Sequence, residues 1–397
     1  MISPKIIDKI FSATFIRRWN DFPRLMELIE LDKQAHKFII AYLIAKSEDD
    51  ENIDFKALIE IGIFEFFKRV VITDIRPDIL HGILNESKKE IDNFAKNELK
   101  EILGDVENGE FFKRFLNYLD NNENFKKEKL ILKAASHLAT KWEFNIIYES
   151  SKFLNDIEDV KKSVNKEIQE YYSLKAINDN FYYTKLEKII DLSGRLRFQK
   201  RWAQAPRIPE TSVLGHMLIV AILGYFFSLE INAHPKRLED NFYCALFHDF
   251  PEALTRDIIS PVKHSTKELE DIINNIEIKL IEEKITPFIP QKFKDEFLYI
   301  LGIHEDKKDE FEDRTFKDGK ISKSSENDEI KIDGKALKNC DRLAAFLEAT
   351  ISVSCGIKSR ELVNGKASTF KKIKENKKIS GVDFYKLACE IDEFYSF

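Results

Sequence analysis

The chain has 397 residues, 43% of them hydrophobic, enough at roughly 100–200 residues per domain to build two ordinary cores. Its formal net charge is −6, with acidic and basic residues interspersed; this excludes a dedicated basic surface for nucleic acid and leaves room for a small anionic substrate in a local cationic pocket. Cys244, Cys340, Cys355 and Cys389 form no CxxC or ladder spacing and read as reduced packing residues of a cytoplasmic protein.

The N-terminal stretch MISPKIIDKIFSATFIRRWNDF lacks the basic, apolar and small-residue succession of an export signal. It opens an internal repeat. Lys5-Ile6-Ile7-Asp8 recurs 183 residues later as Lys188-Ile189-Ile190-Asp191, and the same offset carries Phe15 to Phe198, Arg18-Trp19 to Arg201-Trp202 and Pro23-Arg24 to Pro206-Arg207. A small length change then sets His36 opposite His216, and another sets GIFEFFKRVVITDIRP opposite ALFHDFPEALTRDIISP. Further on, ILKAASHLATKWE from Ile131 lies opposite ALKNCDRLAAFLE from Ala336. The expectation is an all-α protein made of two tandem copies of one helical domain, residues 1–178 and 179–397.

In the second copy, TSVLGHMLIVAILGYFFSL and NFYCALFHDFPEALTRDIISPVK both read as helices from their apolar spacing. The longest apolar run, Met217 to Leu229, has 13 residues and is too short to cross a bilayer. KELEDIINNIEIKLIEEKI is an amphipathic helix, and KFKDEFLYILGIHEDKKDEF is expected to be another. Residues 306–334 form a polar insertion with Asp318-Gly319 and Asp333-Gly334 turn signals, a candidate lid or a short hairpin. A helix follows from Lys335 to Ser352, and the tail from Ser359 reads as two helices with a turn at Gly365.

Imidazole and carboxylate groups buried in apolar helices need partners or a metal. His216, His248, Asp249 and Asp341 form such a set, a nitrogen/oxygen donor group suited to one Mn, Fe, Co, Ni or Zn ion and less to Mg. Glu252, four residues after His248 and three after Asp249, falls on their side at helical spacing and suits a water-positioning or proton-shuttling role. Arg201 beside Trp202 suits a phosphate grip next to an aromatic face, and Lys263 offers a second positive charge. The first copy has Glu65 and Phe66 opposite His248 and Asp249, Arg69 opposite Glu252 and Ser136 opposite Asp341, so of the four ligands only His36 remains there. The first copy thus reads as a domain that kept the fold and lost the metal.

The spaced H…HD…D ligands resemble the HD superfamily of metal-dependent phosphohydrolases. The longer string of RW at 201–202, SVLGH ending at 216, LFHDFPEALTRDIISPVK at 246–263 and NCDRLAAFLEA at 339–349 resembles the HD-domain 5′-deoxynucleotidases, over about Ile190 to Ser354. The resemblance implies metal binding by His216, His248, Asp249 and Asp341, catalysis assisted by Glu252, substrate contacts from Arg201 and Trp202, and sugar recognition by Asp257. The chain departs from that family at Gly215, where a Glu is usual, and at Arg256, where a small residue is usual. Single-domain members of the family pair with themselves, so the resemblance implies either a monomer whose first half stands in for the partner subunit or a homodimer.

The expected function is removal of phosphate from (deoxy)nucleoside 5′-monophosphates by attack of metal-activated water on phosphorus. A nucleoside-triphosphate hydrolase or phosphodiesterase using the same metal is one alternative, and it requires more cations than Arg201, Arg256 and Lys263. A nucleotide-sensing or scaffold protein is another; it has no need of Glu252. Arg18-Trp19 and Asp74 recur opposite Arg201-Trp202 and Asp257, so packing and helix capping compete with substrate contact at those positions.

Overall fold

The computed structural model describes residues 2–49, 53–73, 75, 77–120, 123–256, 266–304, 307–325 and 328–396. Asp257, Lys263, His264 and Asp74 lie outside the described residues. The architecture is all-α. In order the helices are α1 (Pro4–Ser12), α2 (Glu30–Ser47), α3 (Phe55–Ile72), α4 (Pro77–Leu103), α5 (Glu110–Asp120), α6 (Lys126–Ser151), α7 (Ile157–Glu167), α8 (Lys175–Asn178) and α9 (Asn180–Arg195). They continue with α10 (Val213–Glu230), α11 (Pro235–Phe247), α12 (Glu252–Thr255), α13 (Lys267–Lys284), α14 (Lys294–Leu301), α15 (Gly334–Ser354), α16 (Arg360–Glu375) and α17 (Phe384–Phe394). Strands among the described residues occur only as short antiparallel pairs.

The central helix of each half is 18 residues long and is entered from the same kind of turn. Glu30 and Val213, the first residues of α2 and α10, are 183 apart, and so are their last residues, Ser47 and Glu230. Arg17 pairs with Ile29 before α2, and Lys200 bridges Ser212 before α10, at that same offset. The length changes expected from the sequence are therefore not needed. Lys33, not His36, stands at the position of His216, and His36 lies one turn further along.

α2 packs on α6, and α10 packs on α15 and α11. The two central helices also pack on each other, so one continuous hydrophobic cluster runs through both halves. Aromatic rings tie them: Phe38 meets Phe242 at 5.2 Å between centroids, and Tyr42 meets Tyr243 at 4.5 Å and Phe247 at 5.3 Å. α10 is apolar enough by composition to cross a membrane, longer than the 13-residue run suggested, but 94% of it is buried inside this core.

Several elements differ from the sequence reading. α11 ends at Phe247, and His248 to Pro251 form a tight turn of three-residue hydrogen bonds before α12. α14 stops at Leu301, where Gly302 takes φ 71° and the chain turns into the hairpin of β3 (Ile303–His304) and β4 (Lys307–Lys308). Within 306–334 the short hairpin suggested by the turn signal is present: β5 (Arg314–Lys317) and β6 (Lys320–Lys323) pair around Asp318-Gly319, both at positive φ, the backbone that a two-residue hairpin turn demands. Buried Arg314 anchors this insertion by donating to the carbonyl oxygens of Tyr299, Ile300, Asp309, Glu310 and Glu312. The tail helix α16 runs straight through Gly365, and the turn falls after it, around β7 (Lys378–Ile379) and β8 (Val382–Asp383). All four cysteines are free, Cys244 and Cys340 buried, but Cys355 is exposed at the end of α15 and is not a packing residue.

Candidate metal centre and substrate cleft

His216 sits one turn into α10, with both ring nitrogens facing carboxylates: Nε2 lies 3.0 Å from Asp341 Oδ1 and Nδ1 lies 3.3 Å from Glu348 Oε1. Ser212 caps the helix by accepting from Gly215 N at 2.9 Å while its hydroxyl donates to Asp32 Oδ1 of the first half at 2.6 Å. A side chain at residue 215 would collide with that carboxylate, because a Cβ there would lie 2.7 Å from Asp32 Oδ1. Glycine replaces the family's usual Glu where the other half already fills the space.

His248 follows the last residue of α11, and its Nδ1 donates to the Ala245 carbonyl at 2.7 Å. That bond fixes the tautomer and leaves Nε2 with a lone pair. Nε2 is buried without a hydrogen-bond partner, 3.1 Å from Asp249 Oδ2 but outside bonding geometry. Ligand atoms of His216, His248 and Asp249 all lie within 4.8 Å of one another. Asp341 reaches the group through His216, and its other oxygen accepts from Lys338 Nζ at 2.9 Å. Burial pushes both carboxyls up, yet both are held well below the ordinary range, Asp249 by His248 and Arg201 and Asp341 by Lys338 and His216. Ionised carboxylates and an imidazole lone pair, converging and partly orphaned, fit a divalent ion.

Glu348 was not anticipated. It is fully buried on α15, two turns beyond Asp341, and accepts from Trp202 Nε1 at 2.9 Å, Thr211 Oγ1 at 2.8 Å and Arg201 Nε at 3.4 Å. Arg201 Nη1 also lies 3.5 Å from Asp249 Oδ2, so the guanidinium bridges the ligand cluster and Glu348. The same brace exists in the first half. There Glu143 accepts from Arg18 Nε at 2.8 Å and Trp19 Nε1 at 3.0 Å, and Trp19 and Trp202 share φ 58°. The sequence signal was present, since Glu143 lies opposite Glu348 in the register that sets Ser136 opposite Asp341.

The first half closes its corresponding position with its own cations. Lys33 Nζ donates to Ser136 Oγ at 2.6 Å, in place of His216 and Asp341, and Lys37 pairs with Glu65 at 2.9 Å. His36 is a hydrogen-bonded core residue, with Nε2 2.9 Å from the Ile190 carbonyl and Nδ1 3.3 Å from buried Arg197.

A cleft of about 1000 Å³ opens beside the candidate ligands of the second half, lined among others by Arg201, Trp202, Asp249, Glu252 and Asp341. Glu252 thus faces the same space as Asp249, although a turn rather than one continuous helix carries it there. Trp202 lies against α16, where a Cβ on Gly365 would fall 2.4 Å from its ring; close approach explains a glycine in mid-helix. Arg256 is not among the lining residues, but Lys308, Lys335, Lys338, Arg342 and Lys372 are. The cleft is therefore richer in cations than the sequence indicated, and Asp309 to Phe311 of the anchored insertion form part of its wall.

Residues 193–370 match the family model for the HD domain, so this segment is similar to the HD superfamily. Its curated relatives include a 5′-deoxynucleotidase of Cronobacter sakazakii, 27% identical over 123 residues, covering 30% of this chain and 60% of that protein. A 5′-deoxynucleotidase of Enterobacter sp. is 23% identical over 200 residues, covering 48% of this chain and 84% of the relative. One of Vibrio parahaemolyticus is 24% identical over 169 residues, covering 41% and 73% respectively. The chain spans about 60% of the length of the Cronobacter and Photobacterium profundum proteins it matches. HD domains bind divalent metal ions, and the candidate ligands lie within the matched segment.

Proposed function

We propose that the chain is a metal-dependent phosphohydrolase that removes phosphate from (deoxy)nucleoside 5′-monophosphates. The observation that carries this reading is the convergence of His216, His248 and Asp249, with Asp341 bonded to His216, where Asp249 and Asp341 line a cleft that also presents Glu252 and Arg201. Those four residues would hold one divalent transition ion, and the similarity to 5′-deoxynucleotidases supports a nucleotide as substrate. The chemistry such an ion supplies when bound is Lewis acidity toward water and a phosphoryl oxygen. Arg201, steadied by Glu348, binds a phosphate oxygen and offsets charge that builds on phosphorus. Glu252 takes the proton from the attacking water and returns it to the departing nucleoside oxygen. Trp202, pinned through Nε1, offers its ring face to the sugar or base. Asp257 and Lys263 retain their proposed roles in sugar and phosphate recognition.

In this reading the first half, residues 1–178, is a degenerate copy that serves as a built-in partner, and the chain works as a monomer. The shared helix offset and the Arg18–Trp19–Glu143 brace support it. The test is phosphate release from ribo- and deoxyribonucleoside 5′-mono- and triphosphates with Mn, Co, Mg, Zn or EDTA, alongside metal content by mass spectrometry. Asp249→Ala is expected to lose both bound metal and turnover, and Glu252→Ala to keep the metal while turnover falls by at least about a hundredfold. Stoichiometric metal with no turnover on any nucleotide would sink the enzyme reading in favour of a nucleotide sensor.

A further inference from the structure

The cleft face of α15 presents Lys335, Lys338, Asp341, Arg342 and Ala345 at three- and four-residue spacing, with Glu348 a turn beyond. Cations along that face and across from it are not equivalent. Lys338 is paired with Asp341, Lys335 with Asp313, Lys308 with Glu277 and Glu310, and Arg201 with Asp249 and Glu348. Arg342 and Lys372 line the same cleft and, among the described residues, have no carboxylate within ion-pair distance.

Arg342 is half-buried and, among the described residues, is held by a single bond, Nη1 donating to Asn339 Oδ1 at 2.9 Å. Asn339 in turn donates to the Asn376 carbonyl at 2.8 Å, and Asn376 donates from its side chain to the Lys372 carbonyl at 3.0 Å. This chain of bonds fixes the guanidinium at the seam between α15 and the last turn of α16, which carries Lys372. Its remaining N–H groups form a planar fork of the kind that grips phosphate in two places. Taking a guanidinium partly out of water costs solvation, which an anion bound in the cleft would restore. The volume points the same way: about 1000 Å³ stands at the top of the roughly 300–1000 Å³ range of small-molecule sites, more room than one phosphate and a nucleoside take up.

We propose that Arg342 and Lys372 form a second phosphate subsite beside the ligand cluster, so that the chain binds nucleotides carrying a second phosphate more tightly than monophosphates. The proposal rests on the reading above for where the reacting phosphate lies, and goes beyond it in the substrate. The next phosphate of a nucleoside di- or triphosphate would leave the space between Arg201 and Lys338 and reach the Arg342 fork, with Lys372 closing from α16.

The test is calorimetric binding of dAMP and dADP to the full-length, metal-loaded chain in a Glu252→Gln background, which suppresses turnover. dADP is expected to bind about tenfold tighter than dAMP, as one charge-assisted phosphate contact implies. Arg342→Ala and Lys372→Ala should each remove most of that advantage and leave dAMP affinity within about twofold, while Arg342→Lys restores it only in part. Equal affinity for the two nucleotides in the parent overturns the subsite, as does a parallel loss of both nucleotides in Arg342→Ala. Should monophosphates fail as substrates while the dADP preference and its dependence on Arg342 persist, the monophosphatase reading falls and the subsite stands.

Discussion

Glu348 holds Arg201, Trp202, Thr211 and one face of His216 at once, and its carboxyl, pushed up by burial, is drawn well below the ordinary range by Arg207, Arg201 and His216. Glu348→Gln keeps the shape and removes the charge. Partners of this kind typically change activity or metal affinity by about 10–100-fold, so a fall of that size in kcat, read beside metal content and melting temperature, is the expected outcome. His36 makes a different prediction. Burial, and then the charge of Arg197, lowers its pKa from 6.5 to about 3. The unfolded chain takes up a proton at His36 below about pH 6.5 and the folded chain does not until about pH 3, so stability is full above that window and is lost as pH falls through it. His36→Gln should flatten the acid limb of urea midpoints measured between pH 7 and 5. The sequence singled out His216, His248, Asp249 and Asp341 as candidates because ligand chemistry marks them out. It misassigned His36 because an identical residue one turn away outweighed an uninterrupted register in which lysine replaces histidine.

Helical character could be read from apolar periodicity, and the matching ends of α2 and α10 follow from one register. What escaped was fixed by contacts distant in sequence. Gly365 reads as a turn residue, yet it lies inside α16 because the Trp202 ring occupies the space of its side chain. Gly365→Val should displace that ring, shift its fluorescence and raise KM, at a folding cost of about 1–3 kcal/mol. The hairpin of the polar insertion was legible in its turn signal, but its anchor was not: Arg314 ties five carbonyl oxygens beneath it. Arg314→Ala leaves those buried acceptors short of donors and is expected to destabilise by on the order of 3 kcal/mol, with hydrogen exchange quickening first in residues 307–317. Apart from Arg201, the cations of the cleft come from the β3–β4 hairpin, α15 and α16. Their meeting in one space was invisible to local pattern.

At the scale of the molecule, the second half does not own its whole core. Phe242, Tyr243 and Phe247 of α11 are covered by Phe38 and Tyr42, and Tyr225 donates its hydroxyl to Glu60 at 2.6 Å. Residues 179–397 expressed alone should therefore be insoluble or self-associate, and Tyr42→Ala in the full chain should cost about 3 kcal/mol; chromatography with light scattering and thermal melts check the two. A well-behaved, fully active fragment would remove the structural partnership between the halves. The hydrogen bond from Ser212 to Asp32 has a further consequence. It joins the start of the ligand-bearing helix to a residue 180 positions earlier in the same chain, so the facing surface is supplied at a fixed effective concentration by the polypeptide itself. Turnover per molecule should then stay constant on dilution into the nanomolar range, where an equivalent site shared between separate chains would come apart.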